Sequence, residues 1–185
     1  MMSRRYEEAL AYATRMHEGQ LRKGGDPYIT HPVAVAEMLR SWGMGEDTQI
    51  SGLFHDLLED KQADPAEILR MGGPEVFRAV RLLTKEKGYV MDKYVEDLKK
   101  DPMAKAVKAA DRLHNLRSAP CTSVQFRTRY IEETLTYFTD LSPEMFGALE
   151  ALARTLPDGE KKAELEAGIR QSKRAYIVRT LCHHV

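Results

Sequence analysis

The sequence has 185 residues and 28 basic and 28 acidic side chains, so its formal net charge is zero. This length suits one all-helical domain with a core of its own. The lack of a basic excess argues against a general nucleic-acid binder, although a few local cations suffice for a small anionic substrate. No apolar run approaches the roughly 20 residues that cross a bilayer, and the N-terminus lacks the apolar stretch of a secretory signal.

The two cysteines indicate the redox compartment. Cys121 and Cys182 lie too far apart in the sequence to form a CxxC metal site, and two cysteines make no disulfide framework. A reducing cytoplasm is therefore the expected location.

Apolar residues recur at helical spacing along almost the whole chain. No stretch shows convincing β alternation, an internal repeat or a linker long enough to separate domains. We therefore predict one compact all-α domain over residues 1–185. In chain order, the predicted helices cover about 6–16, 32–42, 47–60, 65–72, 74–83, 89–99, 101–116, 122–140, 142–155 and 159–179.

The third predicted helix concentrates acidic side chains around a histidine. His55 and Asp56 are adjacent, and Glu59 and Asp60 follow them four residues later, so each would stack over its partner one helical turn on. No lysine or arginine separates Thr48 from Asp60. An ordinary acidic surface is the alternative, but concentrated negative charge without local cations favours a divalent metal ion.

Two other segments supply further groups of the same kind. His31 stands just before Pro32 at a predicted helix start, and Asp111 shares a helix face with Lys108 and Asn115 by three- and four-residue spacing. Together with His55 and Asp56, these residues make a set of two imidazoles and two carboxylates. Such a set suits manganese, iron, cobalt or zinc.

At this point the sequence resembles the hydrolase domain of the RelA/SpoT homologues, which has the HD phosphohydrolase fold. Within that family it resembles specifically the stand-alone small alarmone hydrolases and the metazoan SpoT homologue. The motifs occur in family order, with family-like spacing, over roughly residues 5–140. They are Ala13–His17 with Gly19-Gln20, Arg22–Pro32, His55–Asp60, Thr84-Lys85 and Lys108–Arg117.

The resemblance implies a specific reaction, the manganese-dependent removal of pyrophosphate from the 3′ position of guanosine tetraphosphate or pentaphosphate. It implies that Glu59 and Asp60 position and deprotonate the attacking water. The implied metal ligands are His31, His55, Asp56 and Asp111. The residues implied to contact the substrate or brace the site are Arg22, Lys23, Lys108 and Asn115; Tyr28 is expected either to contact the nucleotide or to be structural.

Some features leave alternatives open. Gly24 stands where the family commonly has serine, which puts the substrate preference in doubt more than the hydrolysis. The same metal centre could act on adenosine alarmones or on the 2′-phosphate of NADPH, and an inactive antitoxin-like binding module is a third reading. His17, His114 and Lys85 either support the site or are merely packed or solvated.

The remaining expectations concern partners. The chain has no room for the synthetase and regulatory domains of long family members, so we do not expect it to make alarmone. We expect a small nucleotide as substrate, and neither nucleic acid nor membrane as a partner. The C-terminal helices offer enough apolar surface for a homodimer, which the sequence leaves open.

Overall fold

A computed structural model describes residues 3–59 and 63–182. Within these residues the structure is all-helical, as predicted, with one isolated β-bridge between Leu21 and Pro27. The helices are α1 Arg4–Met16, α2 Thr30–Ser41, α3 Glu46–Phe54, α4 Pro65–Leu83, α5 Met91–Lys100, α6 Pro102–Ser118, α7 Val124–Tyr137, α8 Glu144–Arg154 and α9 Glu160–Cys182, with a short 3₁₀ turn at Ala119–Cys121.

The chain divides into two compact units, the first ending at Asp111 and the second beginning at Arg112. The prediction of a single domain over 1–185 stays a prediction. No helix of the described part is long and apolar enough to cross a membrane.

The core of the first unit forms where α1, α3 and α4 pack together and α2 lies on α3. Gly52 allows the close approach of α2, because a Cβ atom at this position would lie 2.9 Å from Cδ1 of Leu39. The core residues are apolar and almost fully buried, as expected for the inward stripes of amphipathic helices. They include Tyr6, Ala9, Tyr12, Ala13, Ala36, Ile50, Leu53, Phe54, Leu57, Ile68, Val76 and Val80.

The predicted third helix is shorter in the structure than its pattern indicated. α3 ends at Phe54, and residues 55–59 form turns in which the Leu57 N–H donates to the Phe54 carbonyl at 3.0 Å. The expectation that Glu59 stacks over His55 on one continuous helix is therefore wrong. Burial of Leu57, which is 1% exposed, accompanies this change of path.

The predicted break at Gly72-Gly73 is confirmed. α4 consists of two helical segments separated by a kink, where Gly73 adopts φ +78°, a conformation that glycine adopts without a steric penalty. Arg5 of α1 donates to the carbonyls of Met71 and Gly72, which lose their helical partners at the kink.

α6 carries one of the predicted site residues and has a well-defined start. The carboxylate of Asp101 accepts a hydrogen bond from the Ala104 N–H at 2.9 Å and another from Arg78 at 2.9 Å. This is an N-cap held by a second helix. It fixes the start of α6, nine residues before Asp111.

Candidate metal centre

Four predicted site residues come together in the first unit. His31 is the second residue of α2, His55 and Asp56 follow α3 directly, and Asp111 lies on α6. His31, His55 and Asp111 are buried, and their potential ligand atoms all lie within 4.8 Å of one another. Oδ2 of Asp56 lies 3.1 Å from Nε2 of His55 and 3.8 Å from Nε2 of His31.

The ring of His55 is oriented by the backbone of α3. Its Nδ1 lies 2.8 Å from the Gly52 carbonyl oxygen, which can only accept, so Nδ1 carries a proton and donates it. Nε2 therefore faces the carboxylates of Asp56 and Asp111, yet it is buried without a properly oriented hydrogen-bond partner among the described residues. A metal-ligating histidine has this arrangement, with one nitrogen on a carbonyl and the other directed at the ion.

The two carboxylates are oriented by neighbouring donors. Oδ1 of Asp111 lies 3.2 Å from Nε2 of His31, while Oδ2 accepts a hydrogen bond from Nζ of Lys108 at 2.9 Å. The Tyr28 hydroxyl donates to Oδ2 of Asp56 at 2.7 Å. Both acidic side chains are thus held with oxygen directed at the imidazoles.

Burial and charge set the ionisation of the two histidines. Burial lowers the pKa of His31, which favours the neutral imidazole. Burial also lowers the pKa of His55, but the negative charges of Asp56 and Asp111 outweigh it and raise that pKa to about 10. His55 therefore retains a proton between the two carboxylates.

The carboxylates show the opposite balance. Burial raises the pKa of Asp56, but the charge of His55 holds it below its usual range. Burial likewise raises the pKa of Asp111, and the charge of Lys108 lowers it well below that range. Because histidine binds a metal in its neutral form, a divalent cation would replace the proton of His55. The residues present fit such an ion, with two nitrogen and two carboxylate donors.

Of the two predicted catalytic carboxylates, Glu59 lies outside this cluster of ligand atoms. Glu59 is exposed, and its Oε2 accepts a hydrogen bond from the Lys85 N–H at 3.2 Å. Asp60 falls outside the described residues. The roles of Glu59 and Asp60 in activating water stay predictions.

The predicted substrate contacts occupy several positions. Arg22 and Lys23 lie in the turn between α1 and α2, where the Arg22 N–H donates to the Asp26 carbonyl at 2.8 Å. Tyr28 and Lys108 bond to Asp56 and Asp111 as described. Asn115 is half-buried on α6 within the second unit. Their binding roles stay predictions.

The sequence alone did not indicate two other contributors, the Gly52 carbonyl and Tyr94. The carbonyl is a backbone group, and no residue type signals its use. Tyr94 is 8% exposed and its hydroxyl donates to the Leu83 carbonyl at 3.0 Å. Burial raises the pKa of Tyr94, the charge of Lys108 lowers it and the charge of Asp111 raises it, which indicates that Tyr94 lies near these two site residues.

Comparison with known proteins adds the family. Residues 9–144 match the model of the HD domain. Relatives include a GTP pyrophosphokinase of Streptomyces coelicolor, 36% identical over 148 residues, and the GTP pyrophosphokinase rsh of Brucella melitensis, 38% identical over 149 residues. Each alignment covers 75% of this chain but only 18% and 20% of the relative, so the chain spans about a fifth of their length.

A solved structure supports the fold over nearly the whole chain. It belongs to a metazoan ortholog of SpoT, which is described as hydrolysing ppGpp; the TM-score is 0.58 at 24% sequence identity, with 95% of this chain and 97% of that chain covered. The resemblance to the RelA/SpoT homologues predicted from the motifs is confirmed. The match over residues 9–144 shows that the chain belongs to the HD domain family.

Proposed function

We propose that this chain is a metal-dependent phosphohydrolase that removes the 3′-pyrophosphate from guanosine tetraphosphate or pentaphosphate. The observation that carries the proposal is the buried cluster in which Nε2 of His55 faces two carboxylates without a hydrogen-bond partner of its own within the described residues. The substrate class rests on the matched motifs and on the ppGpp hydrolysis described for the metazoan ortholog of SpoT.

In this proposal His31, His55, Asp56 and Asp111 hold one manganese ion. When bound, such an ion polarises a phosphoryl oxygen and lowers the pKa of a coordinated water molecule. Lys108 and Tyr28 keep the two carboxylates oriented by their hydrogen bonds to Asp111 and Asp56.

The exposure of the four side chains indicates where substrate would enter. The side chains of His31, His55 and Asp111 are 2%, 3% and 8% exposed, whereas that of Asp56 is 24% exposed. Solvent therefore reaches the cluster at Asp56, and we place the attacking water and the scissile phosphate on that side.

Glu59 is the proposed proton acceptor for the water. The Lys85 N–H binds its Oε2, and no other hydrogen bond to Glu59 exists within 3–59 and 63–182, so Oε1 can accept a proton. Asp60 is proposed to assist it, as the family motif implies.

Arg22 and Lys23 are the proposed phosphate contacts. The turn that carries them is closed by the Gly25 N–H, which donates to the Arg22 carbonyl at 2.9 Å. A guanidinium in such a turn can bind two phosphate oxygens at once, and an ammonium adds a point charge.

A direct test compares substrates on purified protein that has been stripped of metal and reloaded with manganese. Guanosine tetraphosphate, its adenosine analogue and NADPH would be supplied separately, with pyrophosphate and phosphate release measured by different assays. We expect pyrophosphate and GDP from the guanosine compound. Phosphate from NADPH as the sole product, pyrophosphate from the adenosine analogue alone, or no turnover of any compound would contradict the proposal.

A further inference from the structure

We infer that Tyr28 is a positioning residue that holds Asp56 in the cation site, and that His17 and Gln20 hold Tyr28 in turn. The inference rests on the proposed function only in treating the cluster of His31, His55, Asp56 and Asp111 as a cation site. Of the two roles that the sequence left open for Tyr28, a nucleotide contact or a structural tyrosine, it favours a structural role at the cation site.

The Tyr28 hydroxyl donates a hydrogen bond to Oδ2 of Asp56 at 2.7 Å. The same oxygen lies 3.1 Å from Nε2 of His55 and is the one directed at the imidazoles. A carboxylate oxygen has two acceptor positions, so the hydroxyl can occupy one and leave the other directed into the site. Asp56 has the most exposed side chain of the four site residues. Packing therefore restrains its rotamer least, and the hydrogen bond from Tyr28 matters most for its orientation.

Tyr28 in turn packs on a buried histidine. The rings of His17 and Tyr28 stack, with centroids 4.7 Å apart and planes 28° apart. His17 is 3% exposed, and its Nε2 has no hydrogen-bond partner in the part of the chain that the structure describes. A buried imidazole nitrogen without a partner is unfavourable, so Nε2 does not explain why this ring is buried here, whereas the stacking on Tyr28 is a contact that its flat face makes.

Gln20 contacts both residues, His17 through its side chain and Tyr28 through its backbone. Its side-chain Oε1 lies 2.7 Å from Nδ1 of His17, and its backbone carbonyl accepts a hydrogen bond from the Tyr28 N–H at 2.9 Å. One residue thus fixes the histidine side chain and the tyrosine backbone together. The C-terminal end of α1 is thereby connected to Asp56 through two stacked rings.

Tyr28→Phe tests the hydroxyl, because phenylalanine retains the stacking on His17. Manganese alone would be titrated into metal-free protein by calorimetry, without any nucleotide. We expect binding to weaken about tenfold or more, the range found when partners of metal ligands are removed. In the activity assay kcat should fall while the KM for guanosine tetraphosphate stays near wild type.

Tyr6→Phe is the matched control. Tyr6 on α1 is 3% exposed, and the guanidinium of Arg40 lies over its ring. This variant therefore also loses a tyrosine hydroxyl from a buried residue, but one that orients none of the four site residues. We expect it to bind manganese like wild type. Unchanged manganese affinity in Tyr28→Phe would overturn the inference, and so would a raised KM as its only defect, which would identify Tyr28 as a substrate contact.

His17 is tested through its dependence on Tyr28. His17→Ala should weaken manganese binding, whereas His17→Phe, which keeps a flat ring, should restore most of it. In the Tyr28→Phe background, His17→Ala should have no further effect, because the two residues act in series. Equal losses in both backgrounds would overturn the link between the two rings. Since these titrations need no substrate, they stand even if the proposed reaction fails.

Discussion

Asp111 and Arg112 are adjacent on α6 and are both buried, at 6% and 2% exposure, yet each belongs to a different kind of polar cluster. Arg112 lies in the second unit, and its guanidinium lies over two aromatic rings. Its guanidinium carbon is 4.2 Å from the ring centroid of Tyr130 and 4.3 Å from that of Phe138, and it donates to Glu133. Positive charge there meets one carboxylate and two π faces.

The Asp111 cluster is built in the opposite way. Two carboxylates and two imidazoles face one another there, and Lys108 donates to Asp111. Protonation of an imidazole or a bound cation offsets the negative charge of the two carboxylates. Burial of charge therefore does not by itself indicate a site. The residue types that face one another and the charge balance distinguish a ligand cluster from a structural one.

The largest effect should follow Asp111→Asn. The amide keeps the shape of the side chain but removes the charge that faces His31 and His55 and to which Lys108 donates. Loss of a hydrogen-bond partner of a metal ligand weakens metal binding by about 10- to 100-fold. Loss of a ligand's own charge should have a larger effect, so we expect the manganese affinity to fall about 100-fold or more. Calorimetric titration checks the affinity. Wild-type affinity in this variant would mean that Asp111 is a structural residue, like Arg112.

Glu59→Gln separates holding the cation from using it. Glutamine can still accept the Lys85 N–H through its side-chain oxygen, but it cannot take a proton from water. We expect turnover of guanosine tetraphosphate to fall about 100-fold or more, the usual contribution of a general base, with manganese affinity unchanged.

The matched control for Glu59→Gln is Glu86→Gln. Glu86 is an exposed acid near Lys85 that pairs with Arg81 at 3.2 Å. The Glu86→Gln substitution should leave turnover unchanged. Full activity in Glu59→Gln would instead show that another group accepts the proton.

Arg112→Met tests the structural cluster. Methionine fills part of the space between Tyr130 and Phe138 but leaves the carboxylate of Glu133 without its partner. Since Glu133 is 33% exposed, the cost should lie below the range of about 3–5 kcal/mol for a fully buried pair, at about 2–3 kcal/mol in the free energy of unfolding. Urea denaturation measures it. A loss of manganese binding without any loss of stability would contradict the structural role.

The fold was largely predictable because the helical stripes coincide with the buried faces. The Gly72-Gly73 pair even marked the kink inside α4. The end of α3 at Phe54 was not predictable, since Leu57 and Leu58 continue the apolar spacing and no glycine or proline interrupts it. The end of the helix is therefore set by packing against the rest of the fold rather than by a local sequence signal.

The candidate site likewise has a part that the sequence could predict and a part that it could not. Residue types and motif order sufficed to name His31, His55, Asp56 and Asp111, which the structure brings together. Lys108 was predicted to share a helix face with Asp111, but the other groups that orient the four residues could not be assigned. The Gly52 carbonyl is invisible in a sequence, and the choice between a nucleotide contact and Asp56 for Tyr28 depends on the path of the loop that precedes α2.

The smallest effect should follow Asp101→Asn, which repeats the Asp111 substitution near the other end of α6. Asp101 is 7% exposed, as buried as Asp111, but its oxygens bind Arg78 and the Ala104 N–H. Asparagine still caps a helix well, so only the charged pair with a half-exposed arginine is lost, at about 0.5–1 kcal/mol in urea denaturation. Manganese affinity should not change. If it fell as far as in Asp111→Asn, the loss there would reflect disturbance of α6 rather than removal of a ligand, because both substitutions delete one buried carboxylate charge associated with the same helix.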